Sequence, residues 1–203
     1  ALMKTESQIE DELVEDILGF AHDPLGYVLY AFPWGEPGTE LANKKGPRKW
    51  QRELLDSIGK QLQAGAREKG EVIREAVASG HGVGKSALVS WLINWALSTE
   101  VDTRGVVTAN TENQLRTKTW PEVAKWHRLA INSHWFKLVG TALFSTDAGH
   151  EKTWRIDATP WSETNTEAFA GLHNEGRRLL LIFDEASAIA EKVWDVAEGA
   201  LTD

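Results

Sequence analysis

The feature that most constrains this chain is the octapeptide Ser79-Gly80-His81-Gly82-Val83-Gly84-Lys85-Ser86. Before it, Val72, Ile73, Ala76 and Val77 suit a strand ending at Ser79. After it, residues 85–98 form a strongly apolar helix through Leu88, Val89, Leu92, Ile93 and Leu97. Three glycines between strand and helix let the backbone turn with its N–H groups pointing inward around a phosphate chain. The helix beginning near Lys85 offers its positive dipole end to that anion. Lys85 brings a mobile positive charge for β- and γ-phosphates, and the Ser86 hydroxyl suits Mg²⁺. Ser79, Gly80, His81, Gly82, Val83, Gly84, Lys85 and Ser86 are together expected to bind the phosphates of ATP.

A second signature lies far along the chain. Leu179-Leu180-Leu181-Ile182-Phe183 is the clearest buried strand, and it ends in Asp184-Glu185. Such a strand delivers Asp184 to its tip, where the carboxylate can hold a Mg²⁺-bound water. Glu185 can then orient and polarise a water for attack on a γ-phosphate, accepting its proton. Two acids at a strand end also occur as a plain solvated terminus; the match to Lys85 and Ser86 gives this pair its meaning.

The rest of the chain supplies the scaffold. Ile9, Leu13, Ile17 and Phe20 fall at helical spacing over residues 5–20, with acids opposite, as in a docking or partner-binding helix. Residues 21–47 hold four glycines and four prolines and read as an ordered loop or linker. A helix over 48–64 turns Trp50, Leu54, Leu55, Ile58 and Leu62 inward. Gly105 to Ala109 is a short buried strand, Thr111 caps the next helix with Gln114 at capping-box spacing, and Pro121 should end or kink it. A further helical segment covers 122–131, strands cover 135–144 and 153–158, and a last helix begins near Ala188. Strands alternating with helices imply a mostly parallel sheet flanked by helices. The division expected is an N-terminal helical extension and loop over 1–46, then one α/β domain over 47–203.

Composition narrows the function classes. The absence of cysteine excludes disulfide scaffolds, thiolate zinc sites and cysteine nucleophiles. No apolar run is long enough for a membrane span, so no membrane partner is expected. A net charge of −8 argues against coating nucleic acid by charge alone, but the first 23 residues carry −6 of it, leaving room for local basic patches. Ten tryptophans against two tyrosines point to core packing, with a base-stacking platform as the other use.

Three more segments carry a resemblance to phage large terminase subunits, whose motor domain is a P-loop NTPase of the ASCE/RecA-like kind. Gly46-Pro47-Arg48-Lys49-Trp50-Gln51 resembles the family's adenine motif, so the resemblance gives Gln51 the adenine edge and sets Trp50 beside it for packing or stacking. Thr108 to Gln114 resembles the segment after the family's second strand, and also reads as simple helix capping. Ala168-Phe169-Ala170-Gly171-Leu172-His173 stands where many relatives carry an Arg-Gly pair that supplies an arginine to a neighbouring subunit; here Ala170 replaces that arginine, and the segment equally fits an ordinary loop. His81 stands where many relatives have arginine, and either shapes the loop or adds a pH-dependent charge.

The resemblance implies an ATPase with Glu185 and Lys85 as catalytic residues, Mg²⁺ at Ser86 and Asp184, and ATP as substrate. It implies double-stranded DNA, a small terminase subunit and a portal protein as partners, self-association into a ring, and a place in the host cytoplasm at the procapsid portal. No arginine lies between Ser79 and Ser86, so a trans-acting arginine is expected, with Arg177, Arg178 and Arg155 as candidates. The family's coupling motif and nuclease domain would follow the second signature, so a truncated motor without nuclease activity is expected. A helicase-like translocase and an ATP-binding assembly module without turnover are the competing classes.

Overall fold

The computed structural model describes residues 2–65, 84–109, 111–160 and 177–184. Helix α1 spans Glu6–Leu18 and starts with a full capping box: the Thr5 hydroxyl accepts from the Gln8 N–H, and the Gln8 side chain accepts from the Thr5 N–H. Leu13 and Ile17 are its buried stripe. Glu10 ties the helix to the segment just before Phe136, accepting from the Trp135 indole at 2.6 Å and meeting the His134 ring at 2.9 Å. These contacts, led by the bond to His134, hold the Glu10 carboxyl below its usual range.

The stretch 21–47 is not a loop throughout. Residues Pro24–Ala31 form helix α2, with the Asp23 carboxylate accepting from the Gly26 N–H and Pro24 in the first turn. Proline there gives up only an N–H that a helix start leaves unpaired, so the residue that looked like a breaker is a starter. Tyr27, Val28 and Ala31 of α2 are buried in one core with α1 and with the two helices that follow.

Helix α3 spans Lys49–Gln63 and α4 spans Lys85–Thr99. The α4 helix is apolar nearly all round and is buried nearly all round, as such a helix must be. Its polar side chains satisfy themselves within the helix: Ser90 donates to Ser86 O, Asn94 to Ser90 O and Thr99 to Trp95 O. The core reading of the tryptophans holds where they are described. Trp91 and Trp126 meet edge-to-face at 5.2 Å between centroids, and Phe32 and Trp34 close the cluster.

Strand β1 is Arg104–Ala109. Helix α5 (Glu112–Gln114) then runs through a π-helical turn, Leu115–Thr119, into α6 (Trp120–Leu129). Thr111 caps α5 by accepting from the Gln114 N–H, as its spacing predicts. Pro121 falls in the first turn of α6, so the helix widens before the proline and continues past it. Residues 135–144 are a hairpin instead of one strand: β2 (Phe136–Val139) turns at Gly140, φ 53°, into β3 (Ala142–Ser145). Strands β4 (Arg155–Ala158) and β5 (Leu179–Asp184) complete a sheet of order β2-β3-β4-β1-β5.

That sheet corrects the expectation of a mostly parallel one. β1 runs parallel to β4 and β5, but β2, β3 and β4 pair antiparallel, so the described sheet is mixed. The cause is local: a tight glycine turn can only return the chain antiparallel, and β4 follows β3 without a crossover helix. The expected strand ending at Ser79 and the helix from Ala188 lie outside the described residues. Gly105 sits mid-sheet, where a Cβ would come within 2.3 Å of Leu180 O, so β1 and β5 require glycine there.

Candidate functional site

The site gathers where α4 begins and β5 ends. Gly84 precedes α4 in the left-handed region, φ 86°, and a Cβ on it would lie 2.6 Å from the Gln51 amide nitrogen. Gln51 is the reason for that crowding. It is buried on the first turn of α3, its Nε2 donates to Gly84 O at 2.7 Å, and its Oε1 accepts from the Arg48 N–H at 2.8 Å. One side chain thus completes the start of α3 and braces the entry to α4. Trp50, half-buried against the core, flanks the same glycine.

Lys85 and Ser86 open α4, and Asp184 closes β5 in register with Ala109 of β1. The side chains of Lys85 and Asp184 are 7% and 2% exposed, with Nζ 4.0 Å from Oδ1. That is a long approach, and Lys85 Nζ has no hydrogen-bond partner among the described residues. The other oxygen of Asp184 is better held: Thr119 Oγ1 donates to Oδ2 at 2.5 Å and Ser86 Oγ donates to it at 3.4 Å. Thr108, next along β1, also buries a hydroxyl with no partner among the described residues.

The fold therefore brings together Gln51, Trp50, Gly84, Lys85, Ser86 and Asp184 from three separate stretches of sequence. Ser79, Gly80, His81, Gly82, Val83 and Glu185 lie outside the described residues, as do residues 168–173. The candidate arginines sit at the other end of the parallel strands, where Arg104 pairs with both Arg155 and Leu179. Arg178 is buried there. Its guanidinium donates to Ala96 O, Thr99 Oγ1 and Ala21 O and stacks 4.4 Å over Trp95, so it fastens the end of α4 and is not presented to a neighbour. Arg155 forms a two-pronged pair with Asp157 at 2.9 and 2.7 Å. Arg177 is the exposed one of the three.

Sequence reasoning missed Thr119, whose role depends on the π-helical turn. It also missed a basic strip: Lys44, Lys45, Arg48, Lys49 and Arg52 are all exposed around the start of α3, with no acid among residues 44–52.

The residues present fit the groups that the two motifs imply. A buried ammonium short of partners at a helix start is what a phosphate would satisfy. Hydroxyl and carboxylate oxygens from Ser86 and Asp184 are hard donors of the kind Mg²⁺ takes.

Fold and site together define an α/β chain that sets a helix-start lysine and serine against a strand-end carboxylate. No family model matches the chain and no solved structure matches it. Among curated proteins, it is similar to the probable terminase large subunit of Enterobacteria phage P7, at 30% identity over 179 residues, which is 86% of this chain and 33% of that protein. The resemblance to large terminase subunits carried by the motifs thus extends over most of the chain, and the chain spans about a third of the length of that relative.

Proposed function

We propose that this chain carries the ATP-hydrolysing motor domain of a phage large terminase subunit, with residues 47–203 as a P-loop ATPase domain that powers translocation of double-stranded DNA into a procapsid. The observation that carries this reading is the buried Lys85 ammonium, which has no hydrogen-bond partner among the described residues and only a long 4.0 Å ion pair with Asp184, set at the start of α4 beside Ser86. Burying such a group costs several kcal/mol unless something compensates it. A nucleotide phosphate is the compensation this geometry suits.

In this reading Lys85 holds the β- and γ-phosphates, and the α4 dipole adds to its pull. Ser86 and Asp184 would hold Mg²⁺, which neutralises charge on the phosphate oxygens. Glu185 accepts the proton of the attacking water. Gln51 keeps Gly84 in its left-handed turn; the donor and acceptor that would read an adenine edge are both engaged here with backbone. Trp50 stands beside it for packing or stacking.

The basic strip gives DNA a place to dock. Cations at the positive end of a helix are unfavourable, and α3 has no acid in its first turn. The pair of Lys49 with Glu53 at 3.9 Å is mostly exposed and weak. A phosphodiester backbone along Lys44, Lys45, Arg48, Lys49 and Arg52 would supply the missing anions. A small terminase subunit, a portal protein and a ring of like subunits are the partners this role requires, in the host cytoplasm at the procapsid portal.

Turnover by the wild-type chain and by Glu185→Gln is the test. The variant should bind ATP as the wild type does while hydrolysis falls by about 10²-fold or more. Wild-type turnover by the variant would remove Glu185 from the role. ATP binding with no turnover by the wild type would make the chain an ATP-gated assembly module instead.

A further inference from the structure

The Asp184 carboxylate is held by two hydroxyls of unequal strength. Ser86 reaches Oδ2 only at 3.4 Å, too long to fix a carboxylate alone, whereas Thr119 reaches the same oxygen at 2.5 Å. Thr119 is fully buried, between an exposed run (Arg116, Thr117 and Lys118) and the buried Trp120. It ends the π-helical turn of Leu115–Thr119, in which the Trp120 N–H donates to Leu115 O, five residues back. Turns of that kind give up regular α-helical bonding and are frequent at functional sites. Here the turn puts a threonine hydroxyl from the segment after β1 against the carboxylate at the tip of β5.

We propose that Thr119 is the positioning residue for Asp184: its hydroxyl fixes one carboxylate oxygen, so that Asp184 keeps a single orientation toward the cation that accompanies a bound nucleotide. The proposal rests on the nucleotide reading of the site. Ser86 is the weaker holder and would itself be one of the donors to that cation, while Thr119 is fully buried and gives its hydroxyl to Oδ2 at 2.5 Å. Outer partners of this kind set the aim of a metal-binding carboxylate, and losing one costs about 10–100-fold in metal affinity.

The test compares wild type, Thr119→Val and Thr119→Ser by calorimetric titration with the non-hydrolysable β,γ-imido analogue of ATP, in EDTA and in Mg²⁺. Wild type should bind more tightly with Mg²⁺. Thr119→Val, which keeps shape and loses the hydroxyl, should match wild type in EDTA and lose about 10–100-fold of the Mg²⁺-dependent gain. Thr119→Ser should keep most of that gain. A thermal melt of each free protein should remain cooperative. An undiminished Mg²⁺-dependent gain in Thr119→Val would overturn the proposal. So would an equal loss in Thr119→Ser, or a loss of cooperative melting in Thr119→Val, since either makes Thr119 a packing residue. If wild type binds the analogue under neither condition, the nucleotide reading itself falls and takes the proposal with it.

Discussion

Lys85 shows why single residues at this site are legible in sequence while their surroundings are not. A lysine after a glycine-rich turn and before an apolar helix has one obvious chemical use, and the fold does bury it against Asp184. The same holds for Ser86 and Asp184, because motif and local structure are one stretch of chain. Thr119 carried no such signal: its spacing from Pro121 and Trp120 says nothing about a widened turn, and its partner lies 65 residues away. Gln51 was expected to read an adenine edge, whereas its side chain bonds the backbone of Gly84 and Arg48, which depends on the approach of α3 to α4. The lysine yields a prediction that separates binding from stability. Lys85→Met keeps the apolar stem but leaves the buried Asp184 carboxylate without its facing cation, so the free variant should melt lower than wild type while still melting cooperatively. Its ATP affinity should fall by roughly 100-fold, about 2.7 kcal/mol. A melting scan with a calorimetric titration checks both. Unchanged ATP affinity in the folded variant would remove Lys85 from the site.

At the scale of elements, long periodic segments were readable and short ones were decided by tertiary contact. α1, α3, α4 and β5 lie where hydrophobic spacing puts them, because each buries a continuous face. α2 is hidden in sequence because glycines and prolines crowd residues 21–47, and only Asp23-Pro24 marks its start. The β2–β3 hairpin was lost because Gly140 alone marks its turn. Arg178 belongs to this scale, since it joins elements: it caps the last carbonyls of α4 from the edge of β5 and reaches back to Ala21 before α2. An arginine beside an apolar strand looked available to a neighbour, and burial is what assigns it to the core instead. Arg178→Met should therefore cost about 2–3 kcal/mol by leaving buried acceptors unpaired, which lowers the melting temperature by roughly 5–10 °C for a chain of this size. Nucleotide affinity should hardly change, because the site lies at the other end of α4. Unchanged melting would show that solvent satisfies those acceptors.

For the whole molecule, the decisive fact is that the candidate site and Arg177 lie at opposite ends of the sheet's parallel strands. Arg177 lies before β5 and Asp184 ends it, and a six-residue strand separates its ends by roughly 16 Å. An arginine side chain cannot cover that span, so Arg177 cannot reach the phosphates bound by its own chain. If it serves the reaction at all, it serves a neighbour's site, which suits the ring expected of a packaging motor. Phosphoryl transfer spreads negative charge over the γ-phosphate oxygens, and a well-placed arginine is worth about 10³–10⁵ in rate. Isolated chains should therefore hydrolyse ATP slowly, and turnover per molecule should rise with protein concentration. Arg177→Ala should stay slow at every concentration. Mixing it with Glu185→Gln should restore activity, since the second protein donates Arg177 to the intact Glu185 site of the first. Fast turnover independent of concentration would reject a trans donor, and the arginine would then have to come from within the same chain.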